Sequence, residues 1–493
     1  MQANQTKNYG SALYTLVMVF FFWGFVAASN DILIPVFKEH LHLEQWQSMM
    51  IAFAFYVAYT VGSLIYNFIS KLTGGDILNR IGYRNGIAVG LVISALGTLL
   101  FYPAAESASF MLMISGLFIV GLGFSLQQTA ANPLAIVMGD PKTGAQRLSL
   151  TGGVNNFGTT IGPILVSMAI FGSVGTSGVA VASISMVKVP YLILGGLFIL
   201  VAVIFMFSSI PNKIDSVQND QDEHVDPADP AHHAKTSAFD FPQLVMGMIG
   251  IFVYVGVEVS TAANLPEFMK QHVHTGNGLP FPTDQIAPFV SLYWASLMIG
   301  RWTASVGAFN LSDGTKKIMR FVMPYIAFGV FLLINKLANH DITPFYIYAL
   351  NIVVLIIADL MSKGNPARQL LIFSTLAIAA LFIGMFTGGM VSVYAFISVG
   401  LFCSTLWPCI FTLAISGLGR YTNAGSSLLV MMIMGGGIVS LLQGYVADAF
   451  LGIQWSYLVG VLCFAYLAFY AWKVSGILKR QGIDFDKPVT GGH

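Results

Sequence analysis

Charged residues are scarce in this chain of 493 residues. Asp, Glu, Lys and Arg make up 9% of it, whereas about a quarter of an average soluble domain is charged. Because so few charges would not keep a fold of this size in solution, the composition excludes an ordinary soluble enzyme. The net charge of +1 provides neither a basic surface for nucleic acid nor a polybasic patch for anionic lipid.

The residues of common catalytic and metal sites are also few. The three cysteines all stand in apolar runs, so no disulfide framework or metal cluster is predicted. His272 and His274 form an H-x-H pattern, but no cysteine or carboxylate stands at ligand spacing from them. The chain lacks the G-x-x-x-x-G-K-[ST] loop of ATPases. We therefore expect no enzyme activity, no resident metal and no cofactor.

What the chain has in abundance is long apolar runs. Hydrophobic residues make up 56% of it, and a membrane-spanning helix needs about 20 of them in succession. Six such segments precede a polar stretch and eight follow it, which predicts 14 transmembrane helices. They lie near 11–37, 48–71, 86–103, 110–138, 147–172 and 189–210, and then near 242–269, 285–310, 319–335, 344–360, 368–386, 390–417, 424–449 and 454–473.

The polar stretch predicts a division of the chain into two halves. Residues 211–240 are acidic and contain prolines, and they bury too little apolar surface to order themselves. We expect an N-terminal six-helix bundle at 1–210, a cytoplasmic linker at 211–240, a C-terminal bundle at 241–473 and a cytoplasmic tail at 474–493.

The basic residues orient these segments in the membrane. With both termini in the cytoplasm, most of the 23 Lys and Arg residues fall in cytoplasmic loops, as the positive-inside rule requires. Only Lys38, Lys188, Lys270 and Lys336 fall outside, and Arg301 lies within a helix. The loss of one helix would reverse every later loop. A multi-pass protein of the plasma (inner) membrane is predicted.

Charged side chains within the predicted helices are the first candidates for function, since charge is costly there. Asp31 lies in the first helix and is the candidate for cation coupling, by binding either a proton or Na⁺; the alternative is a carboxylate at the membrane interface. Glu258 is a candidate ligand, and Arg301 is a candidate structural or gating residue. A structural ion pair between the two is the alternative. Asp448 is a candidate contact at a helix end or gate.

Carboxamides form a second candidate group. Gln128 and Asn132 are four residues apart and therefore share a helix face. Asn155 and Asn156 lie in the fifth predicted helix. Because an amide offers donors and an acceptor together, this set suits a neutral polyhydroxylated ligand. Hydrogen bonding between helices is the alternative role.

Two tryptophans could complete such a site. Trp294 and Trp407 offer aromatic faces on which the apolar side of a sugar ring can stack, although packing or lipid contact is the alternative. Trp407-Pro408 and Asn132-Pro133 occupy comparable places in the two halves. Transporters built from repeats bind their solute between such halves.

The loop between the second and third predicted helices is similar to a known signature. It reads GDILNRIGYR, with Gly75 and Gly82 suited to a tight turn and Arg80 and Arg84 suited to the cytoplasmic side. It resembles the major facilitator signature G-x-x-x-D-R-x-G-R-R. The further motifs NDILIP (30–35), QTAANP (128–133), NNFG (155–158), AGSSLLVMMIMGGGIVS (424–440) and GYVADAFLG (444–452) resemble the fucose/glucose/galactose symporter family within that superfamily.

The resemblance implies an all-α major facilitator fold and a symporter that imports a neutral monosaccharide by alternating access. Asp31 matches the family's cation-linked aspartate, and Asn155 matches a sugar-contacting asparagine. Trp407 falls where fucose symporters have a tyrosine near the substrate. Gln128 replaces a glutamate of the fucose symporters, which places the chain closer to the glucose/galactose branch and slightly favours Na⁺ over H⁺.

One segment departs from the family pattern. Residues 312–366 are extra and hold two predicted spans, at 319–335 and 344–360, where family members usually have 12 helices in all. We interpret them as an inserted two-helix hairpin. Two rival functions remain open: a carrier of amino sugars or cell-wall fragments, and a transporter-like sensor. The expected partners are a small-molecule sugar and membrane lipid, without nucleic acid, and a monomer is expected.

Overall fold

The computed structural model describes residues 12–26, 45–139, 143–171, 188–208, 210, 212, 237–274, 281, 285–309 and 311–486. Within 45–52 and 163–171 it describes the backbone alone. Asp31, nearly all of the linker 211–240 and the end of the tail lie outside the described residues.

The described residues are helical almost throughout. No strand occurs among them. The longer helices are α1 (Ala12–Val26), α2 (Gln45–Leu72), α3 (Tyr83–Leu99), α4 (Phe110–Val137), α5 (Gly144–Phe171), α6 (Lys188–Met206), α7 (Pro242–His272), α8 (Ala287–Ser305), α9 (Asp313–Leu337), α10 (Ala349–Ser362), α11 (Pro366–Phe386), α12 (Gly389–Cys403), α13 (Leu406–Ile415), α14 (Thr422–Met431), α15 (Gly435–Val446) and α16 (Leu458–Arg480).

Within the described residues, eleven helical stretches are long and apolar enough to cross a membrane by length and composition, and α1 is a shorter apolar helix. The chain is thus a multi-pass, all-helical membrane protein. Large apolar side chains are exposed along these helices, for example Phe68, Leu96 and Ile357. Such exposure suits a surface that faces lipid.

Side-chain caps mark several helix starts. The Ser109 hydroxyl accepts a hydrogen bond from the Leu112 amide at the start of α4, and Ser312 caps α9 in the same way. The Asn365 side chain caps α11 and is followed by Pro366, which lacks the amide hydrogen that a first helical residue cannot use. Segment 312–366 thus begins and ends at well-formed caps.

Two groups of helices form the molecule, an N-half (α1–α6) and a C-half (α7–α16). In the N-half, α3 packs along α4 and α6, and α2 packs along α4. The approach of α3 to α4 is close, because a Cβ added to Gly123 would stand 2.5 Å from the carbonyl oxygen of Gly90. Small residues allow such backbone proximity where no water drives helices together.

In the C-half, α7 packs against α15 and α16, and α11 packs against α12 and α16. The helices of segment 312–366, α9 and α10, pack on α8 and α11 respectively. The halves meet where α5 lies along α8 and where α14 lies against α2 and α4.

Two predicted helices are interrupted. The run predicted at 390–417 turns at Ser404 and Thr405, between α12 and α13. The run predicted at 424–449 narrows to a 3-10 turn at Met432–Met434 and widens to a π turn at Ala447–Leu451. Breaks within spans require partners for the freed backbone groups, so they are tolerated where the protein lines a polar region.

The predicted tail folds back on the C-half. α16 continues to Arg480, and Asp486 beyond it accepts hydrogen bonds from Asn365 (2.8 Å) and Arg368 (2.9 Å) at the start of α11. Lys479 pairs with the same carboxylate at 3.2 Å. These contacts hold the pKa of Asp486 below its usual range, the Asn365 hydrogen bond first.

Candidate functional site

Arg301 lies at the contact between the halves. From α8, its Nε donates to the carbonyl of Ser404 at the break between α12 and α13 (3.0 Å). Its Nη1 faces two oxygens of α5 in the N-half, the Gly152 carbonyl (3.4 Å) and the Asn156 side-chain Oδ1 (3.3 Å). Its Nη2 faces the Tyr254 hydroxyl (3.5 Å). The guanidinium of Arg301, on α8, thus connects α5 of the N-half with α7 and with the break between α12 and α13.

Glu258 lies one turn from Tyr254 on α7, and the Tyr254 hydroxyl bonds its carboxylate. The other carboxylate oxygen, Oε2, is buried and has no hydrogen-bond partner. The Tyr293 hydroxyl of α8 donates to the backbone carbonyl of Glu258 (2.8 Å). Among the described residues no ion pair within 4.0 Å joins Glu258 to Arg301. The structure therefore does not contain the direct ion pair between Glu258 and Arg301 that was the alternative reading of these two residues.

The amides predicted as one group have different surroundings. Asn156 is 7% exposed, and while its Oδ1 faces Arg301, its Nδ2 is buried without a partner. Asn155 donates to the Phe20 carbonyl of α1 (2.9 Å). Gln128 donates to the Tyr59 hydroxyl (3.1 Å), and the buried Asn132 also leaves its Nδ2 unpartnered.

The aromatic and acidic candidates separate as well. Trp407 is half-buried and packs on Tyr254 with ring centroids 6.4 Å apart, so it belongs to the group around Arg301. Trp294 is 39% exposed and stacks edge-on with Tyr293 instead. Asp448 is exposed in the π turn Ala447–Leu451. The structure does not bring Trp294 or Asp448 to the group around Arg301.

Three contributors to this group were missed by sequence reasoning. Tyr254 was detectable, because it stands four residues before Glu258 on one helix face. The carbonyls of Gly152 and Ser404 carried no signal, since any residue supplies a carbonyl and only the packing of α5 and the break after α12 expose these two.

A second set of contacts joins the halves at the end of the molecule that carries loop 73–82, here called the loop end. Ser63 of α2 donates to the Ser427 carbonyl of α14 (2.7 Å), and the Ser427 hydroxyl accepts from Asn67 (3.0 Å). Ser426 donates to the Thr129 carbonyl of α4 (2.8 Å). The halves are therefore closed against each other at this end.

Asn423 reaches from α14 into loop 73–82 itself. Its side chain accepts from the Tyr83 hydroxyl (2.6 Å) and donates to Asn79 Oδ1 (3.0 Å) and Asp76 Oδ1 (3.4 Å). Asp76 Oδ1 also accepts from the Tyr66 hydroxyl (2.7 Å). Burial raises the pKa of Asp76, an effect that the hydrogen bonds to its carboxylate oppose.

The other residues of the signature loop shape it. Gly82 has φ +86°, and a Cβ there would collide with the Asn212 side chain, so glycine is required. The positive φ at the preceding turn belongs to Gly74, not to Gly75. Arg80 donates to the Thr73 carbonyl, and Arg84 donates to the Ser208 carbonyl (3.2 Å).

Segment 312–366 carries two charged side chains that are largely buried. Arg320 of α9 and Asp359 of α10 lie 3.5 Å apart, with side chains 18% and 6% exposed. Asp359 Oδ1 accepts from Gln369 of α11 (3.3 Å). The two helices are thereby tied to each other and to the C-half.

Comparison with known proteins supplies the family. Residues 15–440 match the model of the Major Facilitator Superfamily. The chain belongs to this superfamily. It is 34% identical over 469 residues to the glucose/galactose transporter of Brucella abortus biovar 1 (strain 9-941), with 95% of each chain covered. It is 28% identical over 488 residues to the L-fucose-proton symporter of Escherichia coli (strain K12), with 95% of this chain and 94% of that one covered.

The structure agrees with this assignment. It superposes with a TM-score of 0.71 on the crystal structure of the transporter FucP in the outward conformation, at 26% identity, covering 95% of this chain and 100% of that one. The family predicted from the sequence motifs, and the closer similarity to the glucose/galactose branch, are confirmed. The relatives are transporters, and the prediction that the chain is not an enzyme is confirmed with them.

Proposed function

We propose that this protein is a secondary symporter that imports a neutral monosaccharide, of the glucose/galactose type, together with a cation. The observation that carries the proposal is a pair of buried polar atoms without partners at the contact between the halves, Asn156 Nδ2 and Glu258 Oε2. Unpaired buried polar atoms are costly, so a ligand is expected to satisfy them. Sugar hydroxyls both accept and donate, and Trp407 offers an aromatic face beside them.

The names of the relatives support the substrate class, since they are a glucose/galactose transporter and an L-fucose-proton symporter. Gln128, Asn132 and Asn155 complete the set of candidate sugar ligands. Trp294 is a weaker candidate because it is exposed away from Arg301. Asp31 is the candidate coupling residue, for Na⁺ or H⁺.

The contacts between the halves support alternating access. Two six-helix bundles would rock about the Arg301 group, with the inserted hairpin at 312–366 moving with the C-half, for 14 spans in all. The closure by Asn423, Ser426 and Ser427 lies at the loop end, which the positive-inside rule puts in the cytoplasm together with both termini. The structure would then correspond to an outward-facing state, as in the FucP relative.

A second substrate class is favoured by one observation. The free oxygen of Glu258 would accept a hydrogen bond from a cationic amine as well as from a hydroxyl. A carrier of amino sugars would therefore use the same site. Competition separates the two, because glucosamine would then displace labelled sugar more strongly than glucose.

The test is uptake of labelled glucose and galactose into proteoliposomes under an inward Na⁺ gradient and, separately, an inward proton gradient. Concentrative uptake under one of them is expected. A sugar that binds but is never accumulated, under either gradient and for any hexose tried, would favour a transporter-like sensor instead. Replacement of Asp31 by asparagine should abolish accumulation, and a variant that still concentrates sugar would remove Asp31 from the coupling role.

A further inference from the structure

We propose that Glu258 is a proton-carrying carboxylate of this transporter and that Arg301 couples its protonation to the contact between the halves. The inference rests on the proposed symport, to which it adds a second titratable group, on the C-half. Gln128 of α4 is an amide and does not titrate. Glu258 lies on α7 beside Tyr254 and Tyr293, and Tyr254 in turn faces the guanidinium of Arg301.

The surroundings of Glu258 allow its carboxylate to bind and release a proton. Its Oε2 is buried without a partner, so it has a free position for a proton. The Tyr254 hydroxyl holds the other side of the carboxylate, and Tyr293 fixes the backbone below it. The remaining titratable groups that face it are Arg301 of α8 and the Cys403 thiol of α12. The side chain as a whole is only half-buried, which leaves a route for the proton.

Arg301 is close enough to act on Glu258 electrostatically but donates elsewhere. Its hydrogen bonds go to Gly152 and Asn156 of the N-half and to Ser404 of the C-half. An ionised Glu258 attracts the guanidinium toward α7 and thus away from α5. A protonated Glu258 does not, so Arg301 stays on α5 and holds the halves together. The protonation state of one side chain thereby selects between two sets of contacts.

The carried ion is a proton at this position. A metal cation needs several oxygen ligands and would stand next to the positive guanidinium of Arg301, which repels it. A proton arriving from water on the open side forms an O–H bond at Oε2 and leaves the carboxylate neutral. When the other side opens, that bond breaks and the proton passes to water there.

The test compares two kinds of transport in proteoliposomes: exchange of labelled for unlabelled sugar at equal pH, and accumulation driven by an inward proton gradient. The variants are Glu258→Gln, which mimics the protonated side chain permanently, and Glu258→Asp, which keeps a carboxylate. The matched control is Glu267→Gln, since Glu267 is an exposed carboxylate on the same helix.

Glu258→Gln should lose accumulation but keep exchange at saturating sugar, with a raised KM, because its amide oxygen still accepts a hydrogen bond from a sugar hydroxyl. Glu258→Asp and Glu267→Gln should retain both exchange and accumulation. Arg301→Gln should also lose accumulation, because Glu258 would keep its proton without the nearby cation. The double variant of Glu258→Gln and Arg301→Gln should lose no more accumulation than either single variant. If the two substitutions caused independent structural defects, their effects would add.

Two results would overturn the proposal. One is accumulation by Glu258→Gln at the wild-type level. The other is loss of both exchange and saturable sugar binding in Glu258→Gln at every sugar concentration, which would leave Glu258 a role in sugar binding alone. Failure of the proposed function is distinguishable from both, because the wild-type protein would then show neither exchange nor accumulation.

Discussion

Removal of the Asn423 side chain should open the loop end. Asn423 is fully buried and makes two hydrogen bonds to neutral partners, Tyr83 and Asn79, and one to the carboxylate of Asp76. A neutral hydrogen bond contributes about 0.5–1.5 kcal/mol and one to a charged group about 1.5–3 kcal/mol. The bond to Asp76 is long at 3.4 Å, so we expect Asn423→Ala to weaken the closed state by about 2–4 kcal/mol in total.

Since about 1.4 kcal/mol corresponds to a factor of ten, the equilibrium between closed and open loop ends should shift by about 30- to 700-fold. Spin labels at Lys71 and Lys473, one exposed site on each half, would report it as a distance distribution. The cysteines that carry the labels are introduced at these two positions after the three native cysteines have been replaced.

Asn423→Ala should add a population at longer distance that the parent lacks. The matched control is Thr375→Ala, because the Thr375 hydroxyl is exposed and bonds only within its own helix. An unchanged distribution in Asn423→Ala would refute the assignment of this cluster as a closure between the halves.

Three further results are expected. Acidic pH should stabilise the folded protein in unfolding experiments in detergent, because burial raises the pKa of Asp76. This contribution is complete below the ordinary aspartate pKa and is lost as pH rises through the raised one, and Asp76→Asn should abolish it. Asp359→Leu should lower the free energy of unfolding in detergent by about 3–5 kcal/mol, because it leaves the largely buried Arg320 unpaired. The double variant with Arg320→Met should regain most of that stability, and no recovery would contradict the pairing. Gln127→Leu should lower thermal stability, because the Gln127 side chain is hydrogen-bonded to Trp23 and Ser94. Gln128→Leu should instead raise the KM for sugar. The opposite pattern would make Gln127 the sugar ligand and Gln128 the structural residue.

The helices were predictable from the sequence because a membrane-spanning helix must be apolar over its whole length. Segment 312–366 is an example, since its caps Ser312 and Asn365 and its apolar runs are local features. The break at Ser404 and Thr405 was not predictable. No proline or glycine stands at those two positions, and the freed Ser404 carbonyl has a partner only because Arg301 arrives from another helix.

The candidate site was predictable in its residue types but not in its pairings. Polarity in an apolar run singled out Glu258, Arg301 and Asn156, and the structure places all three at one contact between the halves. Composition could not distinguish the role of Gln127 from that of Gln128, because only packing decides which of two adjacent amides is fully hydrogen-bonded. It also gave no reason to pair Asn423 with a loop more than three hundred residues away.

Symport itself is tested most directly by letting the sugar drive the ion. Proteoliposomes with no ion gradient are given an outside excess of glucose or galactose, and internal pH and internal Na⁺ are followed. Under symport, sugar entry carries cations inward against their own equilibrium, seen as internal acidification or as a rise in internal Na⁺. Asp31→Asn should abolish this cation flux. Sugar entry with neither change would contradict symport.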